Sequence, residues 1–146
     1  MRYWEDFEPG EVVSLGPYEV TREEILEFAR RFDPQPFHVD EDAAEGGPFG
    51  GLAASGWHTA AMFMRLFVEG ILNESASMGS PGVEELRWTA PVRPGDVLTA
   101  RVRVVETYPS ERRGDRGTVI TESEVMNQDD VVVMMMRARG FFRRRP

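Results

Sequence analysis

The chain has 146 residues, a length that suits one domain with a core of its own. Hydrophobic residues make up 41% and charged residues 29%, a balance that argues against a largely disordered chain. The absence of cysteine excludes a disulfide framework, Cys-ligated zinc, an iron–sulfur cluster and a thiol nucleophile, and a formal net charge of -8 argues against general nucleic-acid binding, which runs on phosphate neutralisation.

Met1 to Asp6 carries acids where a signal peptide has its positive region, and no apolar run follows. The longest apolar stretch, Leu52 to Leu72, is interrupted by Ser55, His58, Arg65 and Glu69, which does not make a membrane span. The expectation is a cytoplasmic protein. Trp4 to Gly16 reads as an extended lead-in with a turn at Glu8-Pro9-Gly10, and Pro17 to Val20 as a short strand. Thr21-Arg22-Glu23-Glu24 fits a capping box, so a helix is predicted to about Phe32, with Ile25, Ala29 and Phe32 on one face and Phe28 beside it. Pro34 and Pro36 end it. Residues 33 to 52, with three prolines and four glycines, read as a long irregular segment of the kind that is functional or mobile.

From Ala54 to about Leu72 a second helix is predicted, with Ser55 as its cap. Its apolar residues run nearly all the way round, so it should be buried on most sides. The second half supplies the cover. Val83 to Thr89, Asp96 to Glu106, Thr118 to Asn127 and Val131 to Phe142 read as four strands. Leu98, Ala100, Val102 and Val104 alternate with Thr99, Arg101 and Arg103, and the turn Gln128-Asp129-Asp130 predicts an antiparallel hairpin. The sum is α+β: a single domain, residues 1–146, with a curved antiparallel sheet around one long apolar helix.

Two places could carry chemistry. Asp33 and His38 sit in the irregular segment with two prolines stiffening the chain between them. A carboxylate and an imidazole held together can orient a water, deprotonate it and return the proton elsewhere; the alternatives are a helix-end aspartate and a satisfied loop histidine. Ser55-Gly56-Trp57-His58 opens the apolar helix, where free N–H groups suit an anionic oxygen and Gly56 permits close approach; equally, Gly56 permits tight helix–sheet packing. His58 is either a second acid–base group or a packed core residue. Asp40 and Asp42 either fix the His38 tautomer or cap a short turn. Arg87 and Arg93 are candidate anion contacts or simply solvated, as are the clusters Arg112, Arg113, Arg116 and Arg143 to Arg145. Two histidines and no cysteine point to no metal site.

Phe32-Asp33-Pro34-Gln35-Pro36-Phe37-His38-Val39-Asp40 resembles the hydratase-2 motif of MaoC-like dehydratases, Asp-x-Asn-Pro-x-His-x-Asp. Phe49 to Gly56 resembles that family's phenylalanine-glycine loop and the start of its central helix, and Ala90 to Asp96 its Pro-Val-x-Pro-Gly-Asp turn. The three matches keep the family's order and spacing. The resemblance implies a hot-dog fold and an (R)-specific enoyl-CoA hydratase or related hydro-lyase. Asp33 would be the general base, His38 its partner and the Gly56 N–H the donor to the thioester carbonyl. Ser55, Gln35, Trp57 and Phe49 would bind substrate, with Trp57 beside the acyl chain. It further implies an acyl-CoA thioester as substrate, no cofactor beyond the coenzyme A of that substrate, and a homodimer or dimer of dimers with joined sheets. Gln35 departs from the usual Asn and Ser55 from a frequent His, and Met64 stands where some hydratases carry Ser. A hot-dog thioesterase, for which Glu69 is the only acid in the central helix, and a non-catalytic acyl-thioester binding subunit are the other readings.

Overall fold

The computed structural model describes residues 1–146. The lead-in departs most from expectation. It opens with a 3-10 turn at Trp4–Asp6 and then forms strand β1, Val12–Glu19, of which the expected Pro17–Val20 strand is only the end. β1 is an edge strand, and its register with the neighbouring strand shifts between Leu15 and Tyr18, where Pro17 loses no ladder bond. Gly16 within that bulge has φ 110°, and a Cβ there would approach the Leu98 carbonyl to 2.9 Å.

Thr21 caps α1, Arg22–Phe32, its hydroxyl accepting the Glu24 N–H at 3.2 Å. The reciprocal half of the capping box does not form, because Glu24 takes a hydrogen bond from the Tyr18 hydroxyl instead. Ile25, Leu26 and Ala29 make the buried face, whereas Phe32 is 64% exposed. Phe32 is the last helical residue before the chain turns at Asp33-Pro34, so its ring meets only its helix neighbours Phe28 and Arg31.

The segment expected to be irregular contains two single-turn helices, α2 at Pro36–Val39 and α3 at Glu41–Glu45. Pro36 is the first residue of α2, where a missing N–H costs nothing. Asp40 caps α3, accepting the Asp42 and Ala43 N–H groups at 3.0 and 3.2 Å. Prolines and glycines forbid a long helix here, not a turn of one.

The central helix α4 spans Gly56–Gly70. His58, Thr59, Met62, Phe63 and Leu66 are buried, but Trp57 and Met64 are 60% and 45% exposed. Burial on most sides is therefore not observed: the sheet and α1 cover part of the helix, and the side with Trp57 and Met64 stays exposed. The sheet adds β2 (Gly82–Trp88), β3 (Val97–Pro109), β4 (Arg116–Met126) and β5 (Val132–Arg143) to β1, all antiparallel in the order β1-β3-β4-β5-β2. Leu98, Ala100, Val102 and Val104 point into the core with Val125 and Met134, while Arg101 and Arg103 pair with Glu124 and Glu122 on the outer face. The β4–β5 hairpin turns as expected: Asn127 Oδ1 accepts the Asp129 and Val131 N–H groups and Asp130 takes φ 59°. One apolar helix on a curved antiparallel sheet is the hot-dog architecture. No helix is long and apolar enough to cross a membrane.

Candidate active site

Asp33 is the residue after α1, and its N–H closes the helix on the Ala29 carbonyl at 2.8 Å. The backbone doubles back at once, with the Gln35 N–H on the Asp33 carbonyl at 2.9 Å. Both carboxylate oxygens are engaged. Gln35 Nε2 donates to Oδ1 at 2.7 Å, and Ser55 Oγ donates to Oδ2 at 2.7 Å. Burial raises the Asp33 pKa, but the Gln35 and Ser55 donors, with the charge of His38 whenever its ring is protonated, outweigh it and hold the carboxyl below its ordinary value. Asp33 is thus a fixed, ionised acceptor at neutral pH.

His38 lies in α2, which Pro36 starts, and its ring is buried. Nδ1 donates to the Ala53 carbonyl at 2.6 Å. A carbonyl oxygen can only accept, so the ring carries a hydrogen on Nδ1, and in its neutral form Nε2 presents a lone pair. That lone pair lies 3.5 Å from Asp33 Oδ2. Two acceptors therefore face each other. A single water donating one hydrogen to each satisfies both, and its oxygen then has a defined orientation.

The Phe49–Ala54 strap carries the Ala53 carbonyl. The Ala53 N–H reaches the Phe37 carbonyl at 3.5 Å and the Ala54 N–H the Val92 carbonyl at 2.9 Å. Phe49 lies over His38, ring centroids 6.1 Å apart and planes within 20°, and edge-on to Phe37. The Arg93 side chain, a candidate anion contact by sequence, instead donates to the Phe49 and Leu52 carbonyls. Arg87 pairs with Glu85.

Ser55 holds the N-cap position of α4 but makes no capping bond; its fully buried hydroxyl goes to Asp33. The Gly56 and Trp57 N–H groups follow in the first turn, where an α-helix offers no acceptor of its own. A Cβ at Gly56 would collide with the Trp88 ring, so close packing against β2 also requires this glycine. Trp57 stands apart from the Asp33–His38 pair: its ring is exposed and meets Trp88 edge-on, centroids 5.0 Å apart.

The remaining candidates fall outside the cluster. His58 is buried, stacked on Phe28 at 4.8 Å, with Nε2 3.4 Å from Glu24 Oε1. Asp40 caps α3 rather than touching His38. Glu69 is half exposed and paired with Arg65. Arg116 pairs with Asp115, Arg144 with Glu5 and Arg145 with Asp6. Sequence reasoning missed Ala53, whose contribution is a backbone carbonyl with no side-chain signature; the one signal was a glycine-rich segment that must be pinned somewhere.

Asp33, Gln35, His38 and Ser55 thus converge from three separate segments, and known proteins share the frame that brings them together. The crystal structure of the MaoC-like dehydratase from Rhodospirillum rubrum superposes with a TM-score of 0.92 at 43% identity, covering 100% of this chain and 99% of that one. The (R)-specific enoyl-CoA hydratase of Rhodospirillum rubrum is 29% identical over 145 residues, 96% of this chain and 95% of that protein. YdeM of Bacillus subtilis, an uncharacterized protein, is 32% identical over 130 residues, 88% of this chain and 90% of that protein. The family model of the MaoC like domain matches residues 6–128. The chain belongs to the MaoC-like domain family.

Proposed function

We propose that the protein is a hydro-lyase that adds water reversibly to a trans-2-enoyl thioester, the coenzyme A ester, to give a 3-hydroxyacyl thioester. The observation that carries this reading is the pair of facing acceptors, Asp33 Oδ2 and His38 Nε2, 3.5 Å apart. Asp33 takes a proton from the water they hold as its oxygen bonds to C3. The pair then returns a proton to C2, so hydroxyl and hydrogen both come from water and the enzyme is unchanged. Negative charge passes through the thioester oxygen, and the Gly56 N–H at the start of α4 is the donor assigned to it. One such donor contributes on the order of 3 kcal/mol. The (R)-specific enoyl-CoA hydratase among the relatives supports the substrate class. Water addition to an activated double bond requires no metal or redox cofactor; coenzyme A enters with the substrate.

The exposed side of α4, with Trp57 and Met64, and the free edge of β2, with Trp88, support a second copy of the chain as their cover. We accordingly read the working unit as a homodimer or dimer of dimers of this single domain, acting in the cytoplasm without nucleic acid or membrane.

The test is absorbance at the enoyl-thioester band with crotonyl-CoA, wild type beside Asp33→Asn. Loss of absorbance with wild type alone is the expected result. Equal turnover by both proteins refutes the role of Asp33, and release of free coenzyme A would point to hydrolysis instead.

A further inference from the structure

Arg93 is the half-buried arginine whose guanidinium bonds only to backbone carbonyls. Nη2 donates to the Phe49 carbonyl and Nη1 to the Leu52 carbonyl at 3.4 Å. It thus spans both ends of the glycine pair Gly50-Gly51, of which Gly50 takes the left-handed φ of 64° and Gly51 a φ of 151° that L side chains rarely adopt. A Cβ on Gly51 would come within 3.2 Å of Nη1, so the strap is shaped to let the guanidinium lie against it. The arginine is itself anchored. Its N–H donates to Asp96 Oδ2 at 2.8 Å, and buried Asp96 receives Gln128 Nε2 on Oδ1 at 3.0 Å. Gln128 Oε1 in turn accepts the Val97 N–H at 3.0 Å.

What the strap carries makes this arrangement bear on the site. Leu52 is followed by Ala53, whose carbonyl sets the His38 tautomer, and Phe49 is the ring over that imidazole. A glycine-rich strap left to itself samples many conformations, and each displaces the acceptor that keeps the hydrogen on Nδ1.

We propose that Arg93 is a positioning residue for hydration: by bridging the Phe49 and Leu52 carbonyls it locks the strap that holds His38 in the Nδ1–H form with Nε2 turned to Asp33. Its kinetic consequence rests on the hydratase reading above; its structural consequence does not. Arg93 therefore acts on kcat rather than on substrate affinity, and it does so as a planar two-donor group, which lysine does not replace.

Two measurements test it together. The chain has only two histidines, so long-range 15N–1H spectra of the imidazoles assign the His38 tautomer directly. In wild type His38 is Nδ1–H; in Arg93→Ala and Arg93→Lys it becomes a mixture of both tautomers while His58 stays as it is. With enoyl-CoA, kcat falls on the order of tenfold to a hundredfold in both variants, KM changes little, and millimolar guanidinium restores part of the loss in Arg93→Ala but not in Arg93→Lys. An unchanged His38 tautomer in folded Arg93→Ala overturns the proposal, whatever the kinetics. A raised KM with kcat preserved, weakening with salt, also overturns it and makes Arg93 a contact to a substrate phosphate. If wild type shows no hydration, the spectra still decide the positioning role, so failure of the functional reading and failure of this one are separately visible.

Discussion

The molecule contains two carboxylate–histidine pairs of nearly equal separation, and they are chemically opposite. In the first, His38 Nε2 lies 3.5 Å from Asp33; in the second, His58 Nε2 lies 3.4 Å from Glu24. The difference lies at the other ring nitrogen. His38 Nδ1 has given its hydrogen to Ala53, so Nε2 meets the carboxylate as one acceptor meeting another. His58 Nδ1 is buried without a partner, so its hydrogen sits on Nε2 and goes to Glu24 as an ordinary hydrogen bond. The Glu24–His58 pair is closed, with Tyr18 completing it and Phe28 stacked on the ring. The Asp33–His38 pair is open and calls for hydrogens from outside the protein. Proximity of an acid and a histidine therefore does not distinguish the two pairs; the partner of the second ring nitrogen does.

Substitutions can break or sharpen that contrast. The largest effect belongs to Asp33→Asn, which keeps the shape but replaces an acceptor by a donor. Hydration kcat/KM should fall by about 10²- to 10⁴-fold, with the thermal midpoint little moved. Glu24→Gln, the matching change in the closed pair, should leave kcat/KM within about twofold, because proton transfer is not asked of it. Next comes Ser55→Ala, which removes one of the two donors on Asp33 and relaxes its position. A loss on the order of tenfold is expected. The pH profile adds an independent sign. Burial pushes the Asp33 carboxyl up and its donors pull it below the ordinary value, so losing a donor raises it. The acid limb of kcat/KM should move to higher pH in Ser55→Ala and stay in place in Glu24→Gln.

The smallest effect concerns stability rather than rate. Burial lowers the His58 pKa below its usual 6.5, against the pull of Glu24. The unfolded chain therefore binds a proton there that the folded chain declines, and stability that is complete above about pH 6.5 is lost as pH falls from that value through the lower one of the folded chain. His58→Phe keeps the stack on Phe28 and removes this dependence. The gap between thermal midpoints at pH 8 and pH 5 should shrink by a few degrees at roughly constant activity.

Where the chain's own periodicity decides, the sequence reading holds. The alternation Leu98, Ala100, Val102, Val104 predicts the inner face of β3, and Met134, Met135 and Met136 split between faces as strand geometry requires. Thr21 as a cap is equally legible because the partner lies three residues away. The failures have a common cause: the deciding partner is distant. β1 is hidden because Gly16-Pro17 breaks its pattern, and only pairing with β3 makes it a strand. The reciprocal capping bond is lost because Tyr18 competes for Glu24. Ser55 reads locally as a helix cap, yet its hydroxyl serves Asp33 across the fold. Asp33 and His38 are visible as residues; the 3.5 Å gap between them and the tautomer that gives the gap meaning depend on Ala53 and Val92, which no local spacing connects.

That dependence fixes when, in the life of the molecule, the Asp33–His38 geometry becomes available. A nascent chain extended just past α4 already includes Asp33, Gln35, His38 and Ser55. It lacks Val92 to hold Ala54, the turn that contributes Arg93 and Asp96, and the Gln128 that braces Asp96 from the turn of the last hairpin. The frame around the Ala53 carbonyl, the acceptor for His38 Nδ1, is complete only when those later segments are in the sheet. The ring is therefore tied to the whole length of the chain: the contacts that frame it reach from the first helix to the last hairpin.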